Sequence, residues 1–138
     1  MNSRTTQQKS AFQWNAGGWF GSQFGSTLWI LIAALIFFTK DYQAALLTLA
    51  CFLIPNLIGC WLWSSRQRIA AYPAFQILLT CIGLFSLIAL FILDKSGHWS
   101  DVSDGMSVTS TYILLVFIWS GLMLGFWLKE RQMRRNSR

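Results

Sequence analysis

Residues 72–93 read YPAFQILLTCIGLFSLIALFIL, and no Asp, Glu, Lys, Arg or His interrupts them. A helix needs roughly 20 mostly apolar residues to cross about 30 Å of hydrocarbon. A surface helix of a soluble protein would repeat a polar face every 3.6 residues, and this stretch shows no charged face. It predicts a membrane span. Three further stretches share its length and its lack of charge: 18–38, 42–63 (YQAALLTLACFLIPNLIGCWLW) and 108–128 (VTSTYILLVFIWSGLMLGFWL). Their unbroken apolar runs exclude the alternating strands of a β-barrel.

The predicted fold is an all-α integral membrane protein, a single domain over residues 1–138. Four transmembrane helices form an antiparallel bundle between a polar N-tail, 1–10, and a basic C-tail, 129–138. Composition agrees. Charged residues make up 12% of the chain, against about 25% in a soluble domain, and they sit at the ends and in the gaps. The first apolar run follows a polar tail without a small-residue cleavage site, so the first span is expected to be an uncleaved anchor.

Lys and Arg near span ends favour the cytoplasmic side. Arg4, Lys9, Arg66, Arg68, Lys129, Arg131, Arg134, Arg135 and Arg138 fall on one side, and only Lys40 and Lys95 on the other. Both termini are therefore expected in the cytoplasm, and the compact tails point to a bacterial inner membrane. The net charge of +6 reads mainly as this topology signal, with no nucleic-acid partner expected. Trp14, Trp19, Trp61, Trp63, Tyr72 and Trp127 are expected to form an aromatic belt at the inner interface. Tyr42, Trp99 and Tyr112 would form the outer one. Residues 11–16 are expected to lie along the inner interface.

The connections near 38–41 and 64–71 are short, so successive spans should return beside one another. The connection 94–107, DKSGHWSDVSDGMS, is longer and rich in turn formers.

The first span opens with GGWFGSQFGS, residues 17–26. Gly17, Gly21 and Gly25 recur every four residues, as do Gly18, Ser22 and Ser26. On a helix of 3.6 residues per turn the two rows lie side by side. Such small-residue rows, a glycine zipper, let two backbones approach closely where lipid offers no hydrophobic drive. The last span carries a shorter version at Gly121 and Gly125. The rows predict either tight packing of the first span on the fourth, or contact with another subunit.

Polar side chains recur at one depth in the inner halves of all four spans: Gln23, Asn56, Gln76, Thr80 and Ser120. Amides and hydroxyls in lipid must face one another or water. This layer predicts interhelical hydrogen bonds, or a pocket open to the cytoplasm for a lipid headgroup, a small polar solute or a partner helix. Pro55, beside Asn56, removes a backbone donor and is expected to kink the second span.

Signals for chemistry are weak. His98, Asp101 and Asp104 stand three residues apart in an outer loop and are the best candidate for a divalent cation. Cys51, Cys60 and Cys81 all fall inside spans, without metal-ligand spacing. No catalytic arrangement and no cofactor signature is present, so enzyme activity is not expected. The expected role is a packing or assembly subunit that binds membrane lipid, a partner helix or further copies of itself. The alternative is an oligomeric channel or small-solute transporter, although no charged group lies inside a span to carry coupling.

Overall fold

A computed structural model of the chain describes residues 12–97, 99–103 and 105–136, without the side chains of Asp101 and Val102. The described residues form α1 (Ala16–Phe37), α2 (Tyr42–Ser64), α3 (Ala71–Lys95), the single-turn α4 (Trp99–Val102) and α5 (Val108–Asn136). Among them there is no strand. α1, α2, α3 and α5 are each long and apolar enough to cross a membrane. Short connections make neighbours antiparallel. Phe12, the first described residue, meets the late part of α5, its ring 5.3 Å from that of Phe126. This is the termini end of the bundle.

Local chemistry sets the helix ends. Asn15 caps α1 by accepting from Gly18 N at 3.1 Å, which starts the helix at Ala16, slightly earlier than expected. Asp41 caps α2 in the same way through Ala44 N, at 3.0 Å. Such caps satisfy N–H groups that have no partner within the helix. Pro73 sits in the first turn of α3, where its missing N–H is not needed. Gly97 follows α3 with φ +74°, a left-handed backbone that glycine adopts without a Cβ clash.

Two departures from the sequence reading concern the charged segments. α5 continues to Asn136, about two turns past the expected end of the span. Lys, Glu, Arg and Gln are good helix formers. Glu130 accepts from Arg134 one turn on, at 3.1 Å, and Arg134 and Arg135 suit the negative end of the helix dipole. The connection between α3 and α5 contains α4, whose neighbour Met106 accepts from Trp99 Nε1 at 2.7 Å.

The core runs along α1, α2 and α3. At the termini end it is built on Trp19, Leu62, Ala74, Leu78 and Ile82. Ile30, Cys51 and Ala89 form a second cluster, and Ala33, Phe37, Ala45 and Leu93 close the far end under Trp29 and Trp99. Alanines in these clusters let backbones approach closely. α5 packs on α3 and makes no comparable interface with α1 or α2. In the most apolar stretch of α5 no residue is buried. Large apolar side chains cover the outside, Leu35, Leu57 and Phe117 among them at 63%, 67% and 77% exposure. Large exposed apolar patches are rare on soluble monomers.

Not all of the aromatic residues expected at the termini end face outward. Trp61 and Trp127 are exposed as expected. Trp14, Trp19 and Trp63 instead turn inward and pack on one another, with Trp14 and Trp19 centroids 4.8 Å apart. The reason is polar as well as apolar. Trp19 Nε1 donates to Gly59 O and Trp14 Nε1 to Ile69 O, both at 3.2 Å, so each indole N–H finds a carbonyl inside. The ring of Phe12 also packs on the bundle, against Tyr72, Phe75 and Phe126.

Candidate functional site

Two members of the polar layer meet. Gln23 of α1 is fully buried, and its Nε2 donates to Asn56 O of α2 at 2.8 Å. Asn56 Nδ2 donates back to Thr27 Oγ1 at 3.0 Å and to Phe52 O at 2.7 Å. Thr27 in turn donates to Gln23 O at 2.8 Å. These bonds orient both amides, since turning either one would set its oxygen against a carbonyl. Gln23 Oε1 and Asn56 Oδ1 are left without a hydrogen-bond partner among the described residues. Gly59 explains how the Gln23 amide fits. A Cβ built there would lie 2.5 Å from Gln23 Cδ and Oε1, so a larger residue would have to push the amide aside.

The other members stand apart from that pair. Thr80 is exposed and donates to Gln76 O at 2.8 Å. Gln76 is half-buried, with Nε2 unpartnered among the described residues. Ser120 lies on the exposed outer face of α5. Gln23, Thr27 and Asn56 thus form a polar clasp between α1 and α2, and Thr27 was not singled out from sequence. Pro55 is buried beside the clasp, and α2 continues through it.

The expected packing of the first span on the last through their glycines is not formed within the chain. Gly21, Gly25, Gly121 and Gly125 are exposed, and a Cβ on any of them would meet nothing within 4 Å. At Gly17 and Gly18 it would meet only the Asn15 side chain. Two other glycines do the packing. Gly59 receives Gln23, and Gly83 of α3 receives the Trp119 indole of α5, at 2.5 Å from a built Cβ. Trp119 Nε1 donates to Leu79 O at 2.9 Å. That knob holds α5 against α3 and away from α1, which is why the two glycine rows do not meet. A lone glycine inside a helix costs about 1 kcal/mol and usually has a packing reason, and this was the available signal for Gly59 and Gly83.

Between α1 and α5, with α3 as its floor, runs an apolar groove in two parts. The part nearer the termini end, about 200 Å³, is lined by Gly18, Ser22, Phe75 and Phe126. The next, about 300 Å³, is lined by Ser26, Leu79, Leu122 and Trp119. The small-residue row Gly18, Ser22 and Ser26 is therefore the α1 wall of this groove, and Gly21 and Gly25 lie beside it. Its hydroxyls are engaged by their own helix: Ser22 Oγ donates to Gly18 O at 2.8 Å, and Ser26 Oγ to Ser22 O.

The candidate cation ligands His98 and Asp104 lie outside the described residues, as does the side chain of Asp101. Among the described residues no group of His, Cys, Asp or Glu could hold a metal ion. Cys51, Cys60 and Cys81 are free thiols, and Cys60 Sγ accepts from Gln23 Nε2 at 3.7 Å. No protein-family model, curated protein or solved structure matches the chain.

Proposed function

We propose that the protein is a non-enzymatic, multi-pass subunit of a bacterial inner membrane, with both termini cytoplasmic, whose work is assembly. Its outer glycine face on α1, Gly21 and Gly25, receives a transmembrane helix of a partner protein or of a second copy. One contrast carries the reading. Gly59 and Gly83 are filled by side chains of this chain, whereas Gly21, Gly25, Gly121 and Gly125 are bordered by open space. Glycine in a helix interior costs about 1 kcal/mol against alanine, and in lipid close backbone contact between helices compensates for it.

The alternative of an oligomeric pore or carrier has weaker support. The buried amides of Gln23 and Asn56 are clasped between α1 and α2. The hydroxyls of Ser22, Ser26 and Thr80 donate to their own helices. A conducting path needs polar groups that face water.

Gly21→Leu and Gly25→Leu test the proposal. Each should leave the detergent-solubilised chain folded with unchanged thermal stability, while the assembly that elutes from native membranes shifts to a smaller size. An unchanged elution position for both variants contradicts it. Ion or solute flux through liposomes holding the purified protein would favour the pore.

A further inference from the structure

The two parts of the groove form one track. On each of the three helices their lining residues are one turn apart: Ser22 and Ser26 on α1, Phe75 and Leu79 on α3, Phe126 and Leu122 on α5. The track is small, about 200 Å³ in one part and about 300 Å³ in the other. It is also chemically apolar. Besides the serines, Thr111 Oγ1 donates to Ser107 O at 3.1 Å and Trp119 Nε1 to Leu79 O at 2.9 Å. A polar solute would lose water there and gain little in return.

The mouth at the termini end has the opposite character. Lys129 follows Phe126 and Leu122 on the same face of α5 and is exposed. Its neighbour Glu130 is engaged by Arg134. The N-terminus of α1, the positive end of its dipole, opens on the same mouth, where Asn15 and Gly18 line the groove. Half of the hydrocarbon thickness, about 15 Å, corresponds to roughly ten residues of helix, the span from Lys129 to Trp119. An inner-leaflet acyl chain whose phosphate sits beside Lys129 therefore runs the track as far as the indole that fastens α5.

We infer that the groove between α1 and α5 retains one anionic phospholipid, with an acyl chain along Ser22, Ser26, Leu79 and Leu122 and its headgroup phosphate at Lys129. This rests on the membrane reading above but not on a partner at Gly21 and Gly25. The lipid fills the space that the missing contact between α1 and α5 leaves, and so completes the bundle.

The test is native mass spectrometry of the full chain released from nanodiscs of equal parts phosphatidylglycerol and phosphatidylethanolamine. The wild type should keep one phospholipid per chain. Phosphatidylglycerol should be enriched about fivefold, the effect of one basic residue at a charged headgroup. Lys129→Gln should keep the occupancy and lose the enrichment. Ser26→Phe should lose the occupancy, whereas Leu57→Phe, on an exposed face of α2, should keep both. A wild type that emerges without lipid, or a Ser26→Phe chain that retains as much as wild type, overturns the inference. So does a headgroup preference that survives Lys129→Gln, or a polypeptide bound in place of lipid. Recovery of each variant in the membrane fraction, and only with detergent, checks the membrane reading separately.

Discussion

The side-chain amide of Gln23 lies flat on Gly59, so close that a single added methyl group would stand 2.5 Å from its Cδ. From that position its Nε2 reaches Asn56 O, one turn earlier in α2, at 2.8 Å. The contact joins a polar bond and a steric fit in one place, and neither residue keeps its role if the other changes.

Gly59→Ala should therefore destabilise the chain by about 1–3 kcal/mol, as overpacking of a tight interior does. Gln23→Ala should cost less, about 0.6–2 kcal/mol if the bond behaves like other interhelical bonds in membranes. The double variant should be more stable than the sum of the two single effects, because removing Gln23 clears the space the new Cβ needs. Equilibrium unfolding in mixed micelles measures all four corners of the cycle. Strict additivity would contradict the packing of Gln23 on Gly59.

Trp119 and Gly83 should govern α5 alone. Gly83→Val drives a side chain into the indole, which lies 2.5 Å from a built Cβ. Trp119→Phe removes the donor to Leu79 O, a loss of about 1 kcal/mol. Amide exchange should accelerate through the second half of α5 in both variants, with α1 and α2 as protected as in the wild type. Equal acceleration across all four long helices would contradict the independent attachment of α5.

The topology gives a third prediction. A reporter fused after residue 138, and a thiol label placed in the connection between α2 and α3, should both report the cytoplasmic side. A label in the connection between α1 and α2 should report the opposite side. The charge asymmetry between Arg66, Arg68, Lys129, Arg131, Arg134 and Arg135 and the opposing Lys40 and Lys95 underlies this expectation. Labelling of Lys40 and Arg66 neighbourhoods from the same side would contradict it.

The four long helices were legible because apolar length is a one-dimensional property, and residues 42–63 or 72–93 display it without any knowledge of neighbours. Depth was partly legible too: Gln23 and Asn56 were matched by counting residues along two spans, and they do meet. Direction around each helix was not. Gln76, Thr80 and Ser120 lie at similar counts along their helices but stand apart from Gln23, and a hydroxyl can satisfy itself on its own helix, as Thr80 does on Gln76 O. The glycine rows left their partner open for a related reason. A row states that a close approach is possible, and the Trp119 knob in Gly83 decides which helix α5 approaches. Helix ends were blurred by caps such as Asn15 and by the helix-forming Lys129–Gln132 stretch, whose charges mask its propensity.

Site-specific photo-crosslinking in native membranes tests the central claim most directly, with the crosslinking residue placed at Gly25 and, for comparison, at Leu57. Both positions are exposed in the isolated chain, but only Gly25 belongs to a small-residue face. A discrete protein adduct at Gly25, with none at Leu57, is the predicted result. Lipid adducts alone at both positions, or the same protein adduct at both, would contradict the claim that the α1 glycine face is an assembly surface.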